Sequence, residues 1–179
     1  MCSVAICNEE GALAFKEVNA GYTHAENLHV FIDEVIKQSC LSKNELHAVA
    51  VGKGPGSYTG LRIGVSAAKG IAYALEIPLI AVNSLFNMAV QVKEKTTGKD
   101  TVLCPMLDAR RMEVYTAMYA GADLKELKPT SAVVIDKNSV GDFASDRPHV
   151  FFGAGMPKCN ELLSGAGNNV IIENIFPSA

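Results

Sequence analysis

The spacing of apolar residues changes several times along this chain, and each change marks an element. Cys2 to Cys7 and Ala12 to Val18 are strand-length segments around Asn8-Glu9-Glu10-Gly11, a turn sequence, and together predict a hairpin. Leu28, Phe31, Ile32, Val35 and Ile36 then recur at helical spacing, with Thr23 and Glu26 placed as a capping box at the helix start. Ser42 and Glu45 repeat the capping-box spacing for a short helical turn before a strand at Ala48 to Val51. A glycine-proline loop follows, then a helix beginning near Thr59, then a strand from Leu79 to Val82 just after Pro78. A helix from about Ser84 to Lys95 closes this half, and Thr97-Gly98-Lys99-Asp100 marks the expected boundary.

Beyond that boundary the pattern returns to strands. Val102 to Leu107 and Glu113 to Tyr119 flank Asp108-Ala109-Arg110-Arg111, a charged hairpin connection. Further strands are expected at Val133 to Ile135, Val150 to Phe152 and Val170 to Ile172, with short helices near Val140 to Ala144 and Pro157 to Leu163. Strands followed by alternating strand-helix units, twice over, predict a duplicated α/β arrangement with lobes at residues 1–98 and 99–179.

Composition narrows the classes. At 179 residues, 49% hydrophobic and 20% charged, the chain has enough apolar content to bury a core in one compact domain or two small ones. A net charge of -3 with interspersed signs lacks the basic stripe of a nucleic-acid surface. Any RNA contact is therefore expected to be local or shared with a partner. Cys2, Cys7, Cys40, Cys104 and Cys159 are odd in number and have no CxxC spacing, so they read as reduced thiols rather than a zinc site. The N-terminus shows no basic-apolar signal pattern, and the longest apolar stretch, Ile71 to Val82, is broken by Glu76 and Pro78. A cytoplasmic protein without membrane attachment is the expectation.

The loop at Gly52, Gly54 and Gly56 is the first candidate for chemistry. Glycines before a helix N-terminus leave amides unshielded and suit an anion, but the same turn also occurs where a strand must reverse tightly into a packed helix. It is not a P-loop, because Gly60 is followed by Leu61 and Arg62, and the Gly54, Gly56, Gly60 spacing misses the dinucleotide fingerprint by one residue. Ser57 and Thr59 lack a GxSxG elbow and a nearby histidine, so helix capping by Thr59 is expected over nucleophilic attack. Asp108, Arg110 and Arg111 could clamp a phosphate or a partner carboxylate, or simply form a charged hairpin tip. Lys53, Arg62 and Lys69 add positive charge around the loop and its helix, either solvated or facing RNA or a partner. His24 and His29 are five apart, about 500° of helical rotation, and His47 and His149 lie in other elements, so all four are expected as surface or cap residues. Gly60, Gly64, Ala67 and Ala68 line one side of the helix after the loop, permitting close core packing or an intermolecular contact.

Three segments carry a family resemblance: GKGPGSYTGLRIGVSAAKGIA at 52–72, IPLIAVNSL at 77–85 and PMLDARRMEVYTAMY at 105–119, with His24-Ala25-Glu26-Asn27-Leu28 consistent beside them. Through them the chain resembles the bacterial TsaB (YeaZ) family over essentially its whole length. The resemblance implies two ribonuclease-H-like lobes of the actin, Hsp70 and sugar-kinase group, each a mixed sheet with flanking helices. It also implies a role in threonylcarbamoylation of the adenosine beside the anticodon in tRNAs reading ANN codons. Family members usually open with one more strand, ending in an Asp-Thr-Ser-like phosphate turn, and continue into a C-terminal helix and tail. This chain begins at Met1-Cys2-Ser3 and stops at Phe176-Pro177-Ser178-Ala179, so a trimmed form is expected.

The catalytic paralogue, TsaD, resembles this chain in a segment where two histidines four apart ligate a metal; here those positions fall on Ser84 and Met88. A hydroxyl and a thioether are poor donors for a hard divalent ion. The expectation is a non-catalytic subunit with no metal, cofactor or catalytic residue. It would pair with TsaD, the small ATPase TsaE or a second copy, and reach tRNA only through the complex. The expected interface is Leu28, Phe31, Ile32 and Val35 on one helix with Gly60, Gly64, Ala67, Ala68 and Ile71 on the other. The alternative is an enzyme, either an ATP-dependent sugar-kinase-like phosphotransferase or a glycoprotease-like peptidase. Gly153-Ala154-Gly155 is a candidate second phosphate loop for the first, whereas the second finds neither HExxH nor a triad.

Overall fold

The computed structural model describes residues 1–19, 24–95, 100–136, 139–143, 147–163 and 169–179. The chain is mixed α/β and divides into two compact units, residues 1–83 with 177–179, and residues 84–176. The Thr23–Glu26 capping box, the Thr97–Asp100 turn and the end of the Val140–Ala144 helix fall outside the described residues.

In the first unit β1 (Cys2–Asn8) and β2 (Gly11–Val18) form the expected antiparallel hairpin, from Cys2 opposite Val18 to Asn8 opposite Gly11. The Asn8 side chain accepts from Glu10 N at 2.9 Å and Gly11 N at 3.1 Å, which fixes the turn. Helix α1 (His24–Ser39) packs on both strands, and Val35, 1% exposed, joins Ile6 and Ala14 in the small core beneath it. After a 3-10 turn at Lys43–Glu45, whose Glu45 carboxylate accepts from Ser42 N and Oγ at 2.8 Å each, the chain enters β3 (Val49–Gly54). Helix α2 (Tyr58–Leu75) then carries it to β4 (Leu79–Asn83), which lies parallel to β3 with Val49 opposite Leu79. This strand-helix-strand crossover is the βαβ arrangement that parallel pairing requires.

In the second unit α3 (Ser84–Lys93) packs on β5 (Val102–Asp108), the centre of a sheet ordered β7-β6-β5-β8-β9. The other strands are β6 (Glu113–Ala120), β7 (Glu126–Val134), β8 (His149–Phe152) and β9 (Val170–Ile172). β5, β6 and β7 are antiparallel in sequence, and β8 and β9 add in parallel to the other edge of β5. Pro105 interrupts a central strand, where it supplies no N–H, and its carbonyl instead accepts from the buried Thr116 hydroxyl at 2.9 Å. Both faces of the sheet are covered. One holds Leu85, Met88, Leu103 and Phe152; the other holds Cys104, Met106, Phe151 and Cys159 beside α4 (Asn160–Leu163).

Two expectations change here. The compact units divide at Asn83/Ser84 rather than at Thr97–Asp100, because Leu85, Met88, Ala89 and Val92 bury the apolar face of α3 in the core around β5. The strand expected at Val133 to Ile135 begins at Glu126, since Pro129 and the polar residues around it are tolerated on the edge strand β7.

Candidate functional site

The glycine loop is shaped by packing against α2. Gly54 has φ +97°, which favours glycine, and a Cβ there would also press on Leu61 Cδ1 at 3.1 Å. Ser57 caps α2 by accepting from Gly60 N at 3.4 Å. Thr59, expected as the cap, lies inside the helix, because the capping oxygen must stand before the first turn. At the other end Glu76 adopts a left-handed conformation with φ 55° and closes the helix two residues before Pro78.

Of the expected small-residue stripe on α2, Ala68 alone is buried, while Gly60, Gly64 and Ala67 are half-buried. Ala68 and Ala72 are buried, and a Cβ on Gly64 would lie 4.0 Å from Val51 of β3. Val35 is likewise occupied inside the first unit. Leu28, Phe31, Ile32, Gly60, Ala67 and Ile71 remain half-buried. Ala67 and Ile71 meet His29, Arg62, Ile63, Ser66 and Gly70 in an open groove of about 670 Å³. At 100° per residue the middle of that groove lies about 90° around α2 from the middle of the small-residue stripe. Tyr58 (74% exposed), Arg62, Ser66 and Tyr73 (89% exposed) run along the same open side, and Arg62 donates to the Tyr58 hydroxyl at 3.1 Å while lying 5.2 Å from its ring centroid. The sequence singles out Arg62 by its charge beside the loop; Tyr58, Ser66 and Tyr73 give no such signal, and only helical phase counted from the buried Ala68 and Ala72 finds them. The ion pairs Lys16–Glu34 and Lys43–Asp33 elsewhere in this unit are exposed and contribute little to stability.

The positions that the resemblance aligns with metal-ligating histidines, Ser84 and Met88, sit on α3. Ser84 is buried and Met88 is fully buried in the apolar core. Met88 also limits the Gly153 loop. A Cβ on Gly153 would stand 2.4 Å from both Met88 Cε and the Met106 carbonyl oxygen, and one on Gly155 2.9 Å from the Leu107 carbonyl carbon. The Gly153-Ala154-Gly155 glycines thus answer to close approach of β5, with Gly155 N donating to Met106 O at 2.9 Å. A cleft of about 220 Å³ beside them has Glu173 as its one charged lining residue, an unfavourable neighbour for a phosphate.

Among the described residues no cluster of three or more His, Cys, Asp or Glu side chains could hold a metal ion. Burial pushes the Cys104 and Cys159 thiols above their ordinary range, which suppresses the thiolate. His149, expected on the surface, is instead 3% exposed and stacked on Phe151 with ring centroids 6.0 Å apart, because β8 is an interior strand. Its imidazole is held below the usual range, first by loss of solvent. The His24 side chain lies outside those described, while His29 and His47 are exposed as expected. Among the described residues no helix is long and apolar enough to cross a membrane.

At the β5–β6 turn Lys158 donates to the Asp108 carboxylate and to Glu113 O at 2.6 Å, and Asp108 also accepts from Arg110 N at 2.9 Å. The Lys158 contact holds the Asp108 carboxyl below the usual carboxylate range. Arg110 and Arg111 follow with φ 72° and 46°, both exposed.

Comparison with known proteins agrees with this geometry. The family model described as "TsaD: tRNA N6-adenosine threonylcarbamoyltransferase" matches residues 18–141. The tRNA threonylcarbamoyladenosine biosynthesis protein TsaB of Bacillus subtilis is 31% identical over 152 residues, 84% of this chain and 65% of that protein. The Escherichia coli protein of the same name is 37% identical over 118 residues, 66% of this chain and 50% of that one. The chain thus spans about half to two thirds of the length of these relatives. The solved structure of YeaZ from Pseudomonas aeruginosa superposes with a TM-score of 0.77 at 24% identity, covering 99% of this chain and 81% of that one, which establishes the fold. On the family match and these relatives, the chain belongs to the threonylcarbamoyltransferase family and, within it, to the TsaB (YeaZ) branch.

Proposed function

We propose that the chain is a non-catalytic subunit in threonylcarbamoyl modification of the adenosine beside the anticodon in tRNAs reading ANN codons. It binds and supports the catalytic paralogue TsaD in the cytoplasm, with the small ATPase TsaE as a further member of the assembly and a self-paired form as the alternative state. The names of the relatives supply the process. The observation that carries the non-catalytic reading is Met88: where the paralogue's segment has a metal-ligating histidine, this chain places a fully buried thioether that packs against Gly153.

The open side of α2, with His29 of α1, is the docking face in this reading. Of the residues expected there from sequence, Ala67 and Ile71 line the groove, while Leu28, Phe31, Ile32 and Gly60 are half-buried and not among its lining residues. Arg62 and Ser66 give the face polar groups at its centre, and Tyr58 and Tyr73 supply rigid amphipathic area of the kind that anchors interfaces. Sedimentation of the chain mixed with TsaD tests the assignment. Ser66→Trp, which sets a bulky ring in the middle of the groove, is expected to abolish pairing while leaving the unfolding midpoint unchanged. Pairing that survives Ser66→Trp rules this face out.

A further inference from the structure

The β5–β6 turn sets charge and backbone conformation against each other. Arg110 and Arg111 occupy consecutive left-handed positions, which favour glycine and asparagine, so turn formation does not explain why arginines stand there. The Asp108 carboxylate at the start of the turn is already engaged, since it accepts from Lys158 Nζ and from Arg110 N. Lys158 also donates to Glu113 O at 2.6 Å and lies 3.4 Å from Arg110 O, so one ammonium group braces both sides of the turn. Among the described residues neither guanidinium group takes part in a salt bridge or a side-chain hydrogen bond. Arg110, Arg111 and Lys158 against Asp108 and Glu113 leave this hairpin at +1 on a chain whose net charge is -3.

We infer that the Arg110–Arg111 turn docks on the phosphate backbone of the RNA being modified, an assignment that rests on the reading of the chain as part of a tRNA-modifying assembly. Two guanidinium forks on adjacent residues suit the repeating phosphates of one strand, each fork able to take two oxygens, whereas a single partner carboxylate would use one of them. The bracing by Lys158 lowers the ordering cost, because the backbone that carries both arginines is held before RNA arrives. Such a contact positions RNA and carries no sequence information.

The test titrates a labelled, unmodified tRNA transcript reading an ANN codon with the full chain bound to TsaD over a salt series, and in parallel with the chain alone. The variant Arg110→Asn/Arg111→Gly gives the left-handed backbone residues that favour it while removing both guanidinium groups, so it folds at least as well as the parent. Its expected result is RNA affinity three- to tenfold weaker and a log–log salt slope shallower by about 1.5, at ~0.7 to 0.9 per phosphate contact. Arg110→Lys/Arg111→Lys keeps the charge and is expected to recover most of the slope. Unchanged affinity and slope in the Asn/Gly variant overturn the inference. So does loss of TsaD binding with RNA affinity intact, which would assign the turn to a protein carboxylate. Failure of the unaltered chain to bind TsaD would instead remove the functional reading, and the titration of the chain alone would still report on the turn.

Discussion

The two compact units bury their apolar residues very differently. In the second, β5 is almost wholly buried, and side chains from Leu85 to Ile175 fill clusters on both faces of a five-stranded sheet. In the first, two separate two-stranded ribbons lie under α1 and α2, the core cluster is centred on Ile6, Ala14 and Val35, and Leu79, Ile80, Tyr58 and Tyr73 stay exposed. Two-stranded ribbons are marginal without further packing. The difference teaches where to look for each property: the larger buried clusters lie in the second unit, and the exposed tyrosines of the docking face proposed on α2 lie in the first.

Substitutions can break that comparison, and the largest effect is expected at Gly153. Gly153→Val forces a side chain into a φ +104° position 2.4 Å from a backbone oxygen, and should lower stability by more than about 3 kcal/mol in denaturant titration. Next, Phe151→Ala in the second unit should cost about 3 to 5 kcal/mol, while Val35→Ala in the smaller core costs about 1 to 2. The like-for-like comparison is Val114→Ala in the second unit, expected to cost more than Val35→Ala, and equal losses at these two valines would erase the asymmetry. Smaller still is Ser57→Ala, about 0.5 to 1 kcal/mol because its capping bond is long at 3.4 Å, with Thr59→Ala near zero.

The pH dependence sharpens the same contrast. His149 is neutral in its buried site and its proton affinity is depressed in the folded state, so the unfolded chain binds the extra proton first as pH falls. The stability due to neutral burial is complete above the unfolded pKa, about 6.5, and declines below it. His149→Phe, which keeps the stack on Phe151, should flatten the loss between pH 7 and 5 in thermal melts of the second unit. An unchanged slope would place the titration elsewhere.

Sequence periodicity identified most elements because their signals are local: the Asn8–Gly11 turn, the Ser42–Glu45 capping box, and the strand-loop-helix run through Gly54 and Ser57. What it missed depended on tertiary partners. The 85, 88, 89, 92 spacing marks an apolar face on α3 but not the sheet it covers, which is why the unit boundary moved to Ser84. Gly64 and Ala68 mark a face suited to close approach, and the structure sets Gly64 against Val51 of β3 and buries Ala68, with the middle of the open groove a quarter-turn away. The surface expectation for His149 rests on residue type, and only the interior position of β8 shows why it is buried.

The central claim is that this chain assists a catalytic partner through the open side of α2. The most direct measurement is reconstitution of threonylcarbamoyl modification on an ANN-reading tRNA with TsaD and TsaE, comparing no added chain, the unaltered full-length protein and its Ser66→Trp variant. Modification is expected to depend on the unaltered protein and to fall to the level without it when Ser66→Trp is supplied. Equal modification in all three reactions would contradict the account.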